Sequence, residues 1–268
     1  MSASPRSDSP RWRLGVVSYL NARPLIQGLD TATDVKLIFD APARLPSLLD
    51  RGDVQVALVP VIDLTGPGRN WKIVSDACIG CDGETLTVRV FSRIDPGEIG
   101  RLHVDGDSHT SVALAQVIWR EMFGRTLDVL PWTDNETVEE CEAILLIGDK
   151  VVTRKPIEYE IETDLGASWK SLTGLPFVFA VWAAPRGLDT SQIGRRLSAA
   201  RDAGVKCAHV IAEDVGPGMG WPVMIARRYL TSRLNFKLTP RHREGMRRFL
   251  ELAGKYDIAP TVEELMFA

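Results

Sequence analysis

The chain has 268 residues, of which 45% are hydrophobic and 25% charged, with a formal net charge of -3. That is an ordinary globular composition, long enough for one large domain or two moderate ones. It lacks the strongly basic balance of a nucleic-acid binder, and no run approaches the roughly 18 consecutive apolar residues of a membrane span, so neither nucleic acid nor membrane is expected as a partner.

Residues 1–12 are rich in Ser, Pro and Arg and hold no apolar stretch of signal-peptide length, so they read as a disordered tail on a cytoplasmic protein. Arg13–Val17 is a short apolar strand that ends in the polar turn Ser18–Asn21, and a helical stretch is expected to start at Pro24. Val35–Phe39 reads as a second strand, Ala43–Arg51 as a helix stopped by Gly52, and Val54–Val59 as a third strand. This strand–helix alternation is that of a parallel sheet with helical crossovers. Thr85–Phe91 is expected as a strand with Thr85, Thr87 and Arg89 on one face and Leu86, Val88 and Val90 on the other, which suggests a wet cleft.

A second series follows. Leu102–Val104 is a strand, Asp105–His109 a turn, Val112–Phe123 a helix ending at Gly124, Leu127–Leu130 a strand, Asn135–Cys141 a helix and Ala143–Ile147 a strand. Phe177–Ala184 reads as a strand running back, and helices follow at Ser191–Ala203, Cys207–Glu213, Trp221–Ser232 and Pro240–Ala253. The basic run Arg241, His242, Arg243, Arg247 and Arg248 reads as a solvated helix face. The Gly-rich stretch 216–220 lies between two helices and reads as a connecting loop.

The chain therefore reads as α/β with two lobes. One comprises 13–93 plus 176–268 and the other 94–175, joined by a two-strand hinge near Phe91–Asp95 and Leu175–Val181, with an interlobe cleft. Cys78 and Cys81 form a C-x-x-C without the second close pair a zinc site needs, so they read as core cysteines and no metal is expected.

The strongest local signal is Asp107-Ser108-His109-Thr110-Ser111, directly before a helix. Ser and Thr cap a helix start, and its free N–H groups favour an anion. Ser108, His109, Thr110 and Ser111 are therefore candidate binding residues, with simple capping as the plain alternative. His109 is either a general base or a solvent-facing histidine beside a cap. Ser18 and Asn21 leave the first strand at its carboxyl end, where ligands of open α/β sheets collect. Arg89 either grips a carboxylate or forms an interlobe salt bridge, and Thr87 adds a hydroxyl on the same face.

Gly15–Leu25, Leu58–Pro60, Asp107–Ser111, Leu146–Asp149 and Thr173–Trp182 together resemble the chorismate dehydratase family of menaquinone biosynthesis. The similarity covers nearly the whole chain after the tail, and continues from Tyr229 to Phe249. It implies the type II periplasmic-binding-protein fold. It further implies conversion of chorismate, a small dicarboxylate, into 3-(1-carboxyvinyloxy)benzoate and water on the futalosine route, with no cofactor. The resemblance carries binding roles to Ser18, Asn21, Ser108, Thr110 and Ser111, with Asn21 and Thr87 assigned to the catalytic step and Arg89 and His109 to substrate binding. The family usually shows Ser-Val-aliphatic where this chain has Thr87-Val88-Arg89, and Arg where it has His109; either Arg89 replaces that charge or the substrate differs. The alternatives are the sister 1,4-dihydroxy-6-naphthoate synthase, which shares the fold, and a non-catalytic carboxylate-binding protein. A monomer or dimer is expected.

Overall fold

The computed structural model describes residues 10–132, 141–156, 158–261 and 265–268. The first nine residues of the expected tail, and all but the last residue of the helix expected over Asn135–Cys141, lie outside the described residues.

In chain order the elements begin with β1 (Trp12–Val17), a 3-10 turn over Leu20–Ile26, β2 (Val35–Asp40), α1 (Leu45–Asp50), β3 (Val56–Pro60) and a 3-10 turn over Val61–Thr65. There follow β4 (Trp71–Cys81), β5 (Val88–Ser92), β6 (Arg101–Val104), α2 (His109–Phe123), β7 (Asp128–Pro131), β8 (Ala143–Ile147), α3 (Lys150–Thr153), β9 (Ile161–Asp164) and α4 (Leu165–Thr173). The chain then returns through β10 (Phe177–Pro185) to α5 (Ser191–Lys206), α6 (Ala208–Asp214), α7 (Val223–Arg228), a π turn over Tyr229–Arg233, β11 (Asn235–Lys237) and α8 (Pro240–Lys255).

The strands form two sheets, β11-β4-β10-β3-β1-β2 and β7-β6-β8-β5-β9. In the first, β1 runs parallel to β2 and β3, while β10 runs antiparallel to β3 and β4. In the second, β6 runs parallel to β7 and β8, while β5 runs antiparallel to β8 and β9. The parallel pairs are joined through helices or turns on the sheet faces, as parallel crossovers require.

Several expectations are corrected. Trp12 belongs to β1 and is buried, so the tail ends before it. The helical stretch placed at Pro24 starts at Leu20 as a 3-10 turn that contains Pro24. The strand expected from Thr85 begins only at Val88, and β5 already belongs to the second sheet. The first crossing between sheets therefore falls in 82–87, earlier than the expected Phe91–Asp95, and the second falls at 174–176. Strand β4 went unread because Ser75 and Asp76 interrupt its apolar run, and register shifts against β10 break the two-residue period.

Two features fix the scaffold. Trp169 of α4, Phe177 of β10 and Phe249 of α8 pack edge-on with centroids 5.0–6.2 Å apart, which ties the second crossing into the core. Helix α5 lies close on the first sheet through two glycines. A Cβ on Gly194 would sit 2.2 Å from the Val74 carbonyl oxygen, and one on Gly204 would sit 2.0 Å from that of Pro24. The second contact seats the Leu20–Ile26 turn, which carries Asn21.

Gly204→Ala forces α5 off that turn. Its stability in urea is expected to fall by about 1–3 kcal/mol; an unchanged unfolding midpoint would show that the two backbones part freely.

Candidate functional site

The carboxyl ends of β1, β3 and β8 point at one place, as in other open α/β sheets. A cleft of about 480 Å³, its mouth included, opens there. Tyr19, Asn21, Pro60, Ile79, Phe179, Ala180 and Tyr229 line it from first-sheet elements, and Thr85, Thr87, Ser108, Ser111, Ile147 and Gly148 from the crossing and the second sheet. Among the described residues, none that lines this cleft is charged.

Asn21 reaches the cleft on its 3-10 turn. Its Nδ2 donates to the Tyr229 hydroxyl at 3.3 Å, while its Oδ1 is buried without a partner. Tyr229 also bonds Thr87 Oγ1 at 2.7 Å. The Thr85 hydroxyl is likewise buried without a partner and lines the cleft. Both threonines are placed by a strained turn in which Leu86 takes φ of 72°. The Asp164 carboxylate, N-cap of α4, accepts the N–H groups of Thr85 and Leu86 at 3.0 and 2.8 Å and holds that turn. Burial raises the Asp164 carboxyl above its ordinary value, against those hydrogen bonds.

Across the cleft, Ser108 caps α2. Its Oγ accepts from Ser111 N at 3.2 Å and donates to Ser111 Oγ at 3.0 Å. The first-turn amides of His109 and Thr110 have no partner within a helix, so this end carries donors and the positive end of the dipole.

Tyr19 closes one side. Its hydroxyl donates to Asp107 Oδ2 at 2.7 Å, and its ring covers Gly148, where a Cβ would lie 2.5 Å from the ring. Lys150 holds the same Asp107 oxygen and, at 2.8 Å, Asp105. Burial and the neighbouring Asp107 push the Tyr19 phenol far above its ordinary value, so it stays a donor. Leu20 N donates to Asp149 Oδ1 at 3.2 Å, a further tie between the two sheets.

Of the residues singled out in the sequence, Asn21, Thr87, Ser108 and Ser111 meet in the cleft. Four others do not line it. Ser18 extends the β1–β2 pairing, its N–H donating to Asp40 O at 3.0 Å. The Thr110 hydroxyl is buried on the far side and accepts from Ile62 N at 3.2 Å. Arg89 is enclosed by Glu84, Glu162 and Asp164, at 2.7, 2.6 and 3.6 Å. Arg89 is thus held in ion pairs and does not line this cleft. His109 faces an outer groove with Asp63 and Arg69. Its Nδ1 lies 2.8 Å from Asp63 Oδ2, while Asp63 Oδ1 accepts from Arg69 at 2.8 Å.

Tyr19, Thr85, Gly148 and Tyr229 were not selected as site residues. Tyr19, Gly148 and Tyr229 lie inside segments that carry the family resemblance, and Thr85 lies on the polar face of its stretch. Tyr229 sits in an apolar helical stretch, 142 residues from Thr87, and no local pattern links the two. The cysteine pair lies in β4, where burial pushes the Cys78 thiol up to about 12, far from thiolate chemistry.

The hydrogen bond to Asp63 raises the His109 pKa above its ordinary value, so the pair stabilises the fold fully below about pH 6.5, the value of an unfolded histidine. That contribution fades as pH rises through the higher folded value. The His109 side chain is 48% exposed, so screening limits the pair to roughly 0.2–1 kcal/mol. His109→Gln is therefore expected to unfold more easily than the wild type at pH 6 and to match it in alkaline buffer. A gap that is constant with pH in thermal unfolding would contradict the ion pair.

A family model described as menaquinone biosynthesis matches residues 12–255. A chorismate dehydratase from Thermus thermophilus is 26% identical over 258 residues, covering 90% of this chain and 94% of that protein. Among solved structures, a protein from Archaeoglobus fulgidus superposes with a TM-score of 0.73 at 14% identity, covering 92% of this chain and 98% of the other. The periplasmic aliphatic sulphonate binding protein from Escherichia coli gives 0.63 at 12% identity, covering 97% and 96%. The chain thus has the two-lobed α/β fold of periplasmic binding proteins. Among its described residues, no helix is long and apolar enough to cross a membrane.

Proposed function

The chain belongs to the menaquinone-biosynthesis family, and from that premise we propose that it is a chorismate dehydratase. The observation that carries the reading is the meeting of Asn21 and Thr87, from opposite sides of one uncharged cleft, through Tyr229. The similar protein from Thermus thermophilus bears that activity in its name.

Chorismate carries a ring hydroxyl next to a ring carbon that bears the enolpyruvyl ether and one hydrogen. In the dehydration, that hydrogen leaves as a proton, the neighbouring C–O bond breaks, and its electron pair leaves with the hydroxide. Proton and hydroxide make water, and the ring becomes aromatic, which supplies the driving force. Among the described lining residues there is no carboxylate or imidazole to act as base. The enolpyruvyl carboxylate of the substrate fills that role when the arm is folded over the ring, and it then passes the proton to the departing hydroxide.

The work of the protein is placement and exclusion of water. The ring carboxylate rests at the start of α2, on Ser108, Ser111 and the first-turn amides, where the helix dipole favours an anion without an ion pair. Asn21 and Thr87 flank the reacting carbons. Tyr19, seated on Gly148, closes the cleft over the substrate. The outer histidine and the caged Arg89 take no part.

Purified protein mixed with chorismate is expected to form 3-(1-carboxyvinyloxy)benzoate, followed by chromatography. Asn21→Ala and Thr87→Ala are each expected to lose about 100-fold or more in kcat, in the range seen when a positioned polar group at a reacting centre is removed. Full activity in both variants would show that chemistry occurs elsewhere.

A further inference from the structure

We infer that Tyr229 is a positioning residue that sets Asn21 and Thr87 as an acceptor–donor pair for the leaving hydroxyl of the substrate, an assignment that rests on the dehydratase reading. Tyr229 is buried, at 1% exposure, and its ring is stacked on Trp221 at 5.0 Å and 15°, so its hydroxyl has one place to be. The phenol has one proton and can accept as well. Asn21 Nδ2 donates to its oxygen at 3.3 Å. The proton of the phenol must then go to the other neighbour, Thr87 Oγ1, at 2.7 Å. Burial pushes the phenol far above its ordinary value, so it remains a donor at every working pH.

Two consequences follow. Because Thr87 Oγ1 accepts from Tyr229, its own proton is released toward the cleft. Because the amide nitrogen of Asn21 is spent on Tyr229, its Oδ1 is left as a buried acceptor without a partner, on a residue that lines the cleft. An open donor beside an open acceptor matches an alcohol, which both gives and takes a hydrogen bond. The substrate hydroxyl donates to Asn21 Oδ1 and accepts from Thr87. As its C–O bond breaks, negative charge grows on that oxygen and the Thr87 bond strengthens. The preference is thus for the transition state and reads out in kcat. Without the phenol hydroxyl, Thr87 can turn its proton to Asn21 or the backbone, and the amide is free to flip.

The test compares Tyr229→Phe, Thr87→Val and the double variant on chorismate. Tyr229→Phe keeps the ring and its stacking. Its kcat is expected to fall by about 10–100-fold, the scale of a misplaced reacting group. Its KM should move by less than about three-fold, since the Thr87 bond to the leaving oxygen that it misplaces strengthens in the transition state. The double variant is expected to lose less than the product of the two single losses, because the phenol acts in part through that hydroxyl. An unchanged kcat in Tyr229→Phe, or losses that multiply in the double variant, would overturn the inference. Should Tyr229→Phe fail to fold, Thr87→Val removes the same hydrogen bond from the other side and must show the same split; a rise in KM alone would overturn it. Wild-type protein that leaves chorismate intact overturns the dehydratase reading itself, whereas wild-type turnover with undiminished Tyr229→Phe overturns this inference alone.

Discussion

One phenol oxygen joins the two sides of the cleft. The Tyr229 hydroxyl lies between Asn21, carried by the first sheet's opening turn, and Thr87, carried by the first crossing to the second sheet. Such a group is costly to bury unpaired, at about 1–3 kcal/mol, so its two partners are held where it needs them. The remaining geometry serves that arrangement. Helix α5 presses on the Asn21 turn through Gly204, and the Asp164 carboxylate holds the strained turn at Leu86 that brings in Thr85 and Thr87.

The charges of the protein are arranged around the cleft and kept out of it. Arg89 is neutralised by three acids, Lys150 by Asp105 and Asp107, and His109 faces Asp63 in an outer groove. An anion in the cleft therefore meets hydroxyls, amides and a helix terminus, with no fixed counter-ion among the described lining residues. That suits a reaction in which a carboxylate of the substrate must stay basic. A lysine or arginine beside it would lower its pKa and weaken it as a base. Two outer contacts have a different task, since the Tyr19–Asp107 hydrogen bond and the His109–Asp63 pair both tie first-sheet elements to the start of α2.

Much of this was legible in the sequence, because it is local. The order of β1, β2, β3, β6 and β8 follows from short apolar runs, and α2 is bounded by Ser108 and by Gly124 in the left-handed conformation. Asn21 and Ser111 were found because strand ends and helix starts are where α/β folds collect ligands. Period-two geometry places Thr85, Thr87 and Arg89 on one face only if all three lie in one strand. A positive φ at Leu86 breaks that period before β5 begins, so Thr87 turns into the cleft while Arg89 points to the acids. The Thr110 hydroxyl and the His109 ring leave the helix start in directions set by Ile62 and Asp63, residues far away in the chain. Tyr229 is a tertiary fact for the same reason.

Where an aromatic product sits decides whether the uncharged cleft is the place of reaction. A crystal structure of the chain with 3-(1-carboxyvinyloxy)benzoate bound should place the ring against Asn21 and Thr87, with its carboxylate on Ser108 and Ser111 and the Tyr19 ring over it. Product found in the outer groove beside His109, or against Arg89 after its acids have parted, would contradict the assignment of the uncharged cleft as the place of reaction.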